Sequence, residues 1–271
     1  MPRERSLTIV LPAYNEAARL GPALDELFAY LRGTGTARPG ESAAVELGDA
    51  WSVLVVDDGS ADATSKIALG HREAEGPAAR LRVLHVPHAG KGAAVRAGML
   101  ASDTEVAVFA DADMATPPDQ LPRLIRALES ADLALGSRVQ PDGSDRRAGQ
   151  PGYRRLLGRL FHALAAAWVT GPVPDTQCGF KGFRREAAQD LFARQRIGSI
   201  VFDAEIIHLA RRRGYRTVVV PVEWSDRRGS RMRPSPALAL RVAWDLFRIP
   251  LLHRTVGRRA ATIQREPVGG E

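Results

Sequence analysis

Cysteine is nearly absent from this chain of 271 residues, where Cys178 stands alone. A single thiol excludes an internal disulfide framework and fits a reducing compartment. Long apolar runs are missing too, each being interrupted well short of the roughly 20 residues that a membrane-spanning helix needs. No secretory leader is expected, because Met1–Ser6 leads straight into a strand pattern. Acidic charge is the scarcer sign, with 31 Asp and Glu against 38 Lys and Arg, a net +7 in which nearly all of the basic side is arginine. That balance suits phosphate-bearing partners, meaning nucleotides, nucleic acid or an anionic membrane surface, while coding bias alone would also enrich Arg and Ala. The length suffices for a large core and lies near the upper size of one α/β domain. The expected organisation is a domain over 1–233 with a mobile excursion at 33–50, an amphipathic helix over 234–254 and a disordered tail over 255–271.

What the sequence does contain is a regular alternation of strands and helices. Leu7–Leu11 is a β-branched apolar run closed by Pro12 and the turn Ala13–Glu16, and a helix follows with Leu20, Leu24, Leu27 and Leu31 on one face. Trp51–Val56 predicts a second buried strand, closing on Asp57-Asp58-Gly59-Ser60 and a helix through about Glu75. Leu81–Val86 runs into His88–Gly92 and a helix over Ala93–Ala101. Val106–Ala110 is uninterrupted apolar sequence, the pattern of a central strand covered on both faces, and it ends at Asp111 and Asp113. Such alternation argues for a wound, mostly parallel sheet with right-handed crossovers, on which ligands bind beyond the carboxyl ends of the strands.

Asn15-Glu16, Asp57-Asp58, Gly90–Gly92 and Asp111–Asp113 all fall at such ends, so one composite site is expected. Turn chemistry alone accounts for any one of these clusters, since Asp, Asn, Gly and Ser favour turns for local backbone reasons. In extended backbone, residues i and i+2 project the same way, so Asp111 and Asp113 can converge on one hard cation. The Gly90-Lys91-Gly92 stretch lacks the spacing and following Ser/Thr of a P-loop.

Further on, Asp132–Gly136 predicts a fifth strand, leading to Ser137-Arg138 and a polar loop. Tyr153–Val169 predicts an amphipathic helix whose aromatic-aliphatic stripe suits a core or a membrane interface. Asp175–Arg184 is a short strand pattern, and Phe202–Arg213 is a helix whose Asp203, Glu205 and Arg211–Arg213 match the helix dipole. Thr217–Trp224 predicts the last strand. Pro236–Leu252 predicts a helix that is apolar apart from Arg241, Asp245 and Arg248, and so in need of a partner surface.

Taken together, LPAYNE at Leu11–Glu16, VVDDGS at Val55–Ser60, GKGAAVRAG at Gly90–Gly98 and DADMATP at Asp111–Pro117 resemble the family 2 glycosyltransferases with the GT-A fold. DTQCGFKGF at Asp175–Phe183, FDAEI at Phe202–Ile206 and VPVEW at Val220–Trp224 narrow the resemblance to polyprenyl-phosphate sugar transferases, especially the dolichyl-phosphate glucosyltransferase branch. The resemblance implies that Pro12, Tyr14, Glu16 and Asp57 line the nucleoside pocket, with Asp58 and Lys91 nearby and Lys91 toward phosphate. It implies that Asp111 faces the donor sugar or metal and that Asp113 binds Mg²⁺ or Mn²⁺ bridging the diphosphate. Related phosphomannose synthases carry a polar third ligand where this chain has Ala115, so the ion would lean on diphosphate oxygens and water.

A lipid phosphate acceptor, with a second pKa of about 6, is largely dianionic at neutral pH and needs cations more than a base. Arg138, Arg227, Arg228 and Arg231 are the candidates to hold it, and Asp175 is the candidate carboxylate near the acceptor. The expected reaction is an inverting transfer of hexose from UDP-glucose, or second GDP-mannose, to a polyprenyl phosphate. The expected place is the cytoplasmic face of the plasma membrane, as a peripheral protein with no nucleic-acid partner and an open oligomeric state. A soluble transferase acting on a small hydroxylated acceptor and a non-catalytic nucleotide-sugar binding module are the alternatives.

Overall fold

The computed structural model describes residues 6–33, 50–140, 142, 165–225, 227 and 236–258. Seven strands form one sheet: β1 (Leu7–Ala13), β2 (Trp51–Asp57), β3 (Leu81–His85), β4 (Val106–Ala110), β5 (Leu133–Ser137), β6 (Phe180–Arg184) and β7 (Thr217–Pro221). Their order is β3-β2-β1-β4-β6-β5-β7. All run parallel except β6, which lies antiparallel between β4 and β5. The strand order reverses between β1 and β4, and the carboxyl ends at such a switch point are where ligands of wound sheets bind. Because β6 is reversed, its N-terminal approach, residues 175–179, reaches that same edge.

Strand alternation sorts the core into two layers. Ile9, Leu11, Val53, Val55 and Val108 face α1 (Leu20–Leu31), which contributes Leu20, Leu24, Leu27 and Phe28. Val10, Leu54, Val56, Ala107 and Phe109 face the other way, onto α3 (Lys91–Ala101), α5 (Arg185–Arg194) and α6 (Phe202–Arg213). α3 lies tight on the sheet because residue 98 is Gly; a Cβ there would overlap Val10 and Val56. Pro12 sits in a central strand, yet beyond Val10↔Phe109, where pairing with β4 stops, so its missing N–H falls where β1 has one neighbour.

Several elements differ from expectation. α2 (Thr64–Leu69) stops at Gly70, with a separate 3₁₀ turn at Arg72–Ala74, instead of running to Glu75. α3 starts at Lys91 rather than Ala93, since Gly90 takes φ +100° and the Gly92 N–H donates to the Gly198 carbonyl at 2.8 Å. α4 (Leu121–Ala127) and α5 were not anticipated; the buried face of α5 includes two alanines, which dull its periodicity. Of the Tyr153–Val169 helix, residues 153–164 lie outside the described residues, and Ala166–Thr170 form a π-helical turn. The 33–50 excursion and the 255–271 tail likewise lie largely outside them. Residues 255–258, however, are tied to α6, where Arg212 Nε donates to the Val256 carbonyl at 3.0 Å and Arg213 Nη1 to that of Gly257 at 3.0 Å.

A third apolar cluster joins Ala165, Val169, Ile197, Val201 and Ala204 to Leu246 and Ile249 of α7 (Pro236–Leu252). The polar stripe expected on α7 is not uniformly outward. Asp245 is buried and accepts a 2.6 Å hydrogen bond from the Ser199 hydroxyl.

Candidate active site

The loops after β1 and β2 are fused by hydrogen bonds. Asn15, in the left-handed region at φ 54°, donates its N–H to Ser60 Oγ at 2.9 Å and accepts at Oδ1 from the N–H of Ala61 at 2.8 Å. The Glu16 N–H donates to Thr64 Oγ1 at 2.7 Å. This fusion leaves Tyr14 43% exposed at the rim, stacked on His88 with centroids 4.1 Å apart and an interplanar angle of 20°. Asp57 accepts from the Ser60 N–H at 2.9 Å and the Ser65 hydroxyl at 2.5 Å. Burial opposes its charge, but these bonds together with His85 hold the carboxyl below its usual range. Asp58 is buried and accepts from the N–H groups of Ala89 and Gly90 at 2.9 and 3.0 Å, so its oxygens carry the loop that leads into α3.

The acidic pair after β4 meets a chain cation on each member. Lys91, first residue of α3, places Nζ 2.5 Å from Asp111 Oδ1. Burial alone would favour neutral Lys91, yet Asp111, Asp203 and Asp113 raise its pKa and keep it cationic. Arg19 Nη1 donates to Asp113 Oδ2 at 3.0 Å while its Nε and Nη2 grip Glu16 at 2.7 and 2.6 Å. Asp113 also accepts from the Ala115 N–H at 3.1 Å, and burial together with Asp111 pushes its carboxyl upward. The Asp111 N–H donates to the Gly179 carbonyl at 3.0 Å, and a Cβ on Gly179 would overlap the Asp111 carboxylate.

Arg138 and Asp175, assigned separately from the sequence, are partners. Arg138 donates Nε to Oδ2 at 2.7 Å and Nη2 to Oδ1 at 2.8 Å, and its guanidinium lies 5.6 Å from the Trp224 ring centroid. Asp175 raises the Arg138 pKa against the pull of burial. Arg227 Nη2 reaches Glu26 at 2.9 Å and the Met114 carbonyl at 3.2 Å, beside the acidic pair. Arg228 and Arg231 lie outside the described residues. Pro12 is within β1, partly exposed and two residues before Tyr14.

Two acids read as dipole partners do more than that. Buried Asp203 accepts from Lys181 Nζ at 2.6 Å, and burial raises its pKa. Buried Glu205 accepts from the N–H groups of Arg196 and Ile197, both at 2.9 Å, and its Oε1 lies 2.7 Å from His253 Nε2. Cys178 is buried and its thiol is pushed up to about 12 by burial, so it is no nucleophile. Sequence reasoning missed Arg19, His88, Gly179 and Lys181. The three-residue step from Glu16 to Arg19 spans a helical turn and was the one available signal.

Asp111 and Asp113 are hard oxygen donors that fit Mg²⁺ or Mn²⁺. Among the described residues no three His, Cys, Asp or Glu gather as a metal cluster.

Residues 8–192 match the family described as "Glycosyl transferase family 2". A dolichyl-phosphate beta-glucosyltransferase of Trichomonas vaginalis is 36% identical over 260 residues, covering 93% of this chain and 73% of the relative. Those of Drosophila melanogaster and Homo sapiens are 35% and 33% identical, covering 96% and 85% of this chain and 79% and 70% of the relatives. Among solved structures, glucosyl-3-phosphoglycerate synthase from Mycobacterium tuberculosis in complex with Mn²⁺, UDP and glucosyl-3-phosphoglycerate superposes with a TM-score of 0.60 at 22% identity. It covers 94% of this chain and 82% of the synthase, a likeness of fold, GT-A.

Proposed function

The chain belongs to glycosyl transferase family 2, and from that membership we propose that it transfers glucose from UDP-glucose to a polyprenyl phosphate with inversion at the sugar carbon. The relatives named dolichyl-phosphate beta-glucosyltransferase support both the sugar and the acceptor class. The observation that carries the reading is the convergence, at the strand-order switch, of the Tyr14–His88 stack, Asp57 and the Lys91–Asp111 and Arg19–Asp113 pairs.

The Tyr14–His88 pair offers an aromatic face for a nucleobase, and Asp57, held ionised, accepts from base or ribose. Lys91, at the N-terminus of α3, sets positive charge where an anion would sit. Mg²⁺ or Mn²⁺ held by Asp113 and Asp111 would supply neutralisation of the departing diphosphate. Attack by a lipid phosphate needs no proton removed. The two-pronged pair therefore makes Asp175 the holder of Arg138, whose remaining donors, together with Arg227 beside Met114, would hold the acceptor.

The acceptor lives in a bilayer, and the molecule offers a surface for one. Leu240, Trp244, Phe247 and Leu251 of α7 are 74%, 61%, 50% and 54% exposed, and Trp168, 55% exposed, stacks on Phe247 at 6.1 Å. This apolar stripe with Arg241 and Arg248 on the same helix suits the interface of an anionic membrane. Ser199, bonded to Asp245, neighbours Gly198, which packs on the Gly90–Gly92 loop, so the buried face of this helix is linked to the loop that leads into Lys91. No described helix is long and apolar enough to cross a membrane. The reading is a peripheral enzyme, placed on the cytoplasmic face of the plasma membrane.

The test is transfer of label from UDP-glucose or GDP-mannose to polyprenyl phosphate, with and without a chelator. Label entering the organic phase from UDP-glucose, and only with free divalent ion, is the expected result. Label that stays aqueous on a small hydroxylated acceptor would overturn the lipid assignment.

A further inference from the structure

Arg19 belongs to none of the motifs that point to sugar transfer, yet its guanidinium is the group nearest to hand for Asp113. Glu16 takes its Nε and Nη2, which fixes the plane of the fork and leaves Nη1 aimed at Asp113 Oδ2, 3.0 Å away. Arg19, Glu16 and Asp113 are only 19%, 16% and 21% exposed at their side chains, so solvent screens the arrangement weakly. Lys91 does the same for Asp111. Two cations thus answer three carboxylates, Glu16 included, so each member of the acidic pair already has a positive partner before any ligand arrives. A divalent ion entering alone would have to displace Arg19 or lie against two positive charges. An ion entering with a diphosphate brings negative oxygens that meet those same cations.

We propose that Arg19 is a positioning residue that couples metal loading to nucleotide loading: seated on Asp113, it holds off the bare divalent ion and yields that carboxylate only when a diphosphate accompanies the metal. Once displaced from Asp113, Arg19 keeps its pair with Glu16 and turns its free donor toward the incoming phosphate. The inference rests on the acidic pair serving a divalent ion in a nucleotide-sugar site.

The experiment is a Mn²⁺ titration of the full chain, followed by the electron paramagnetic resonance signal of free Mn²⁺, with and without UDP. It compares the wild type with Arg19→Gln and Arg19→Lys, each checked by thermal melting. In the wild type UDP should strengthen Mn²⁺ binding steeply. Arg19→Gln should bind Mn²⁺ alone roughly tenfold more tightly, the factor that about 1.4 kcal/mol produces, and should gain less from UDP. Arg19→Lys, which keeps the charge without the fork, should fall between, and it supplies the comparison if the Gln variant does not fold. Equal Mn²⁺ affinity without UDP in all three proteins, with UDP still enhancing it, would overturn the coupling role alone. Failure of the wild type to bind Mn²⁺ even with UDP would overturn the metal reading itself, and this proposal with it.

Discussion

Arg138 and Asp175 lie 37 residues apart and meet in a two-pronged ion pair at 2.7 and 2.8 Å, with the Arg138 backbone N–H adding a third bond to Asp175 Oδ2 at 3.0 Å. Both are largely buried, so removing one member strands the other's charge. Arg138→Ala is expected to cost about 3–5 kcal/mol of stability, as for other broken buried pairs. Arg138→Lys should recover only part of it, because a point charge cannot fill the fork. Chemical denaturation measures both, and wild-type stability in Arg138→Ala would contradict the pairing.

Asp113→Ala should lower turnover by roughly 10²- to 10⁴-fold, equivalent to about 3–5 kcal/mol of lost transition-state stabilisation. UDP binding should survive in part, because Tyr14 and Asp57 lie on other loops. Calorimetry with UDP beside the transfer assay separates the two, and undiminished turnover would remove the acid from the mechanism.

Gly179→Ala separates activity from folding. The new methyl group would meet the end of a side chain, Asp111, rather than backbone. Asp111 should swing off Lys91, so turnover should fall at least tenfold while stability changes by no more than about 1 kcal/mol. A variant that is fully active would show that the Asp111 position seen here is not needed.

Acidification should weaken the packing of α6 near residues 165–170. His208 is buried, donates its Nδ1–H to the Val169 carbonyl at 3.1 Å, and faces His253, Arg211 and Arg212. Burial first, then those neighbouring charges, lower its pKa from the unfolded value of about 6.5. Below that value the unfolded chain takes up the proton before the folded one does. Stability from this group is therefore present above about pH 6.5 and declines as pH falls toward the folded pKa, by at most about 1.4 kcal/mol per pH unit. His208→Asn should flatten the decline between pH 7 and 5 in melting experiments, and an unchanged slope would assign it to other groups.

Trp244→Ser with Phe247→Ser should loosen sedimentation with anionic vesicles by roughly tenfold or more, since each large side chain is worth about 1.5–3 kcal/mol when buried. UDP affinity should not move. Equal sedimentation of the double variant and the wild type would leave the stripe without a membrane role.

The rim itself was legible. Asn15-Glu16, Asp57-Asp58, Lys91 and Asp111–Asp113 each follow an apolar strand, and parallel strands necessarily bring such ends to one edge. The reversal of β6 was not legible, because period-2 burial is the same for a strand of either direction, and only pairing with β4 and β5 sets its sense. The further partners of Asp203 and Glu205, beyond the helix dipole, were hidden for a related reason. A helix-terminal acid satisfies the dipole wherever it is, and nothing local reveals Lys181 or His253 across from it.

Local spacing and strand-helix alternation thus determined, without any coordinates, the class of fold, the edge that bears the candidate site and the acidic pair proposed for its centre. Which charge answers which was decided only by the folded chain. Arg19 on Asp113, Lys91 on Asp111 and Arg138 on Asp175 join residues 94, 20 and 37 positions apart. Coulombic and hydrogen-bond energies depend on distance in space, and only the packed sheet and helices convert those separations into contacts of about 3 Å.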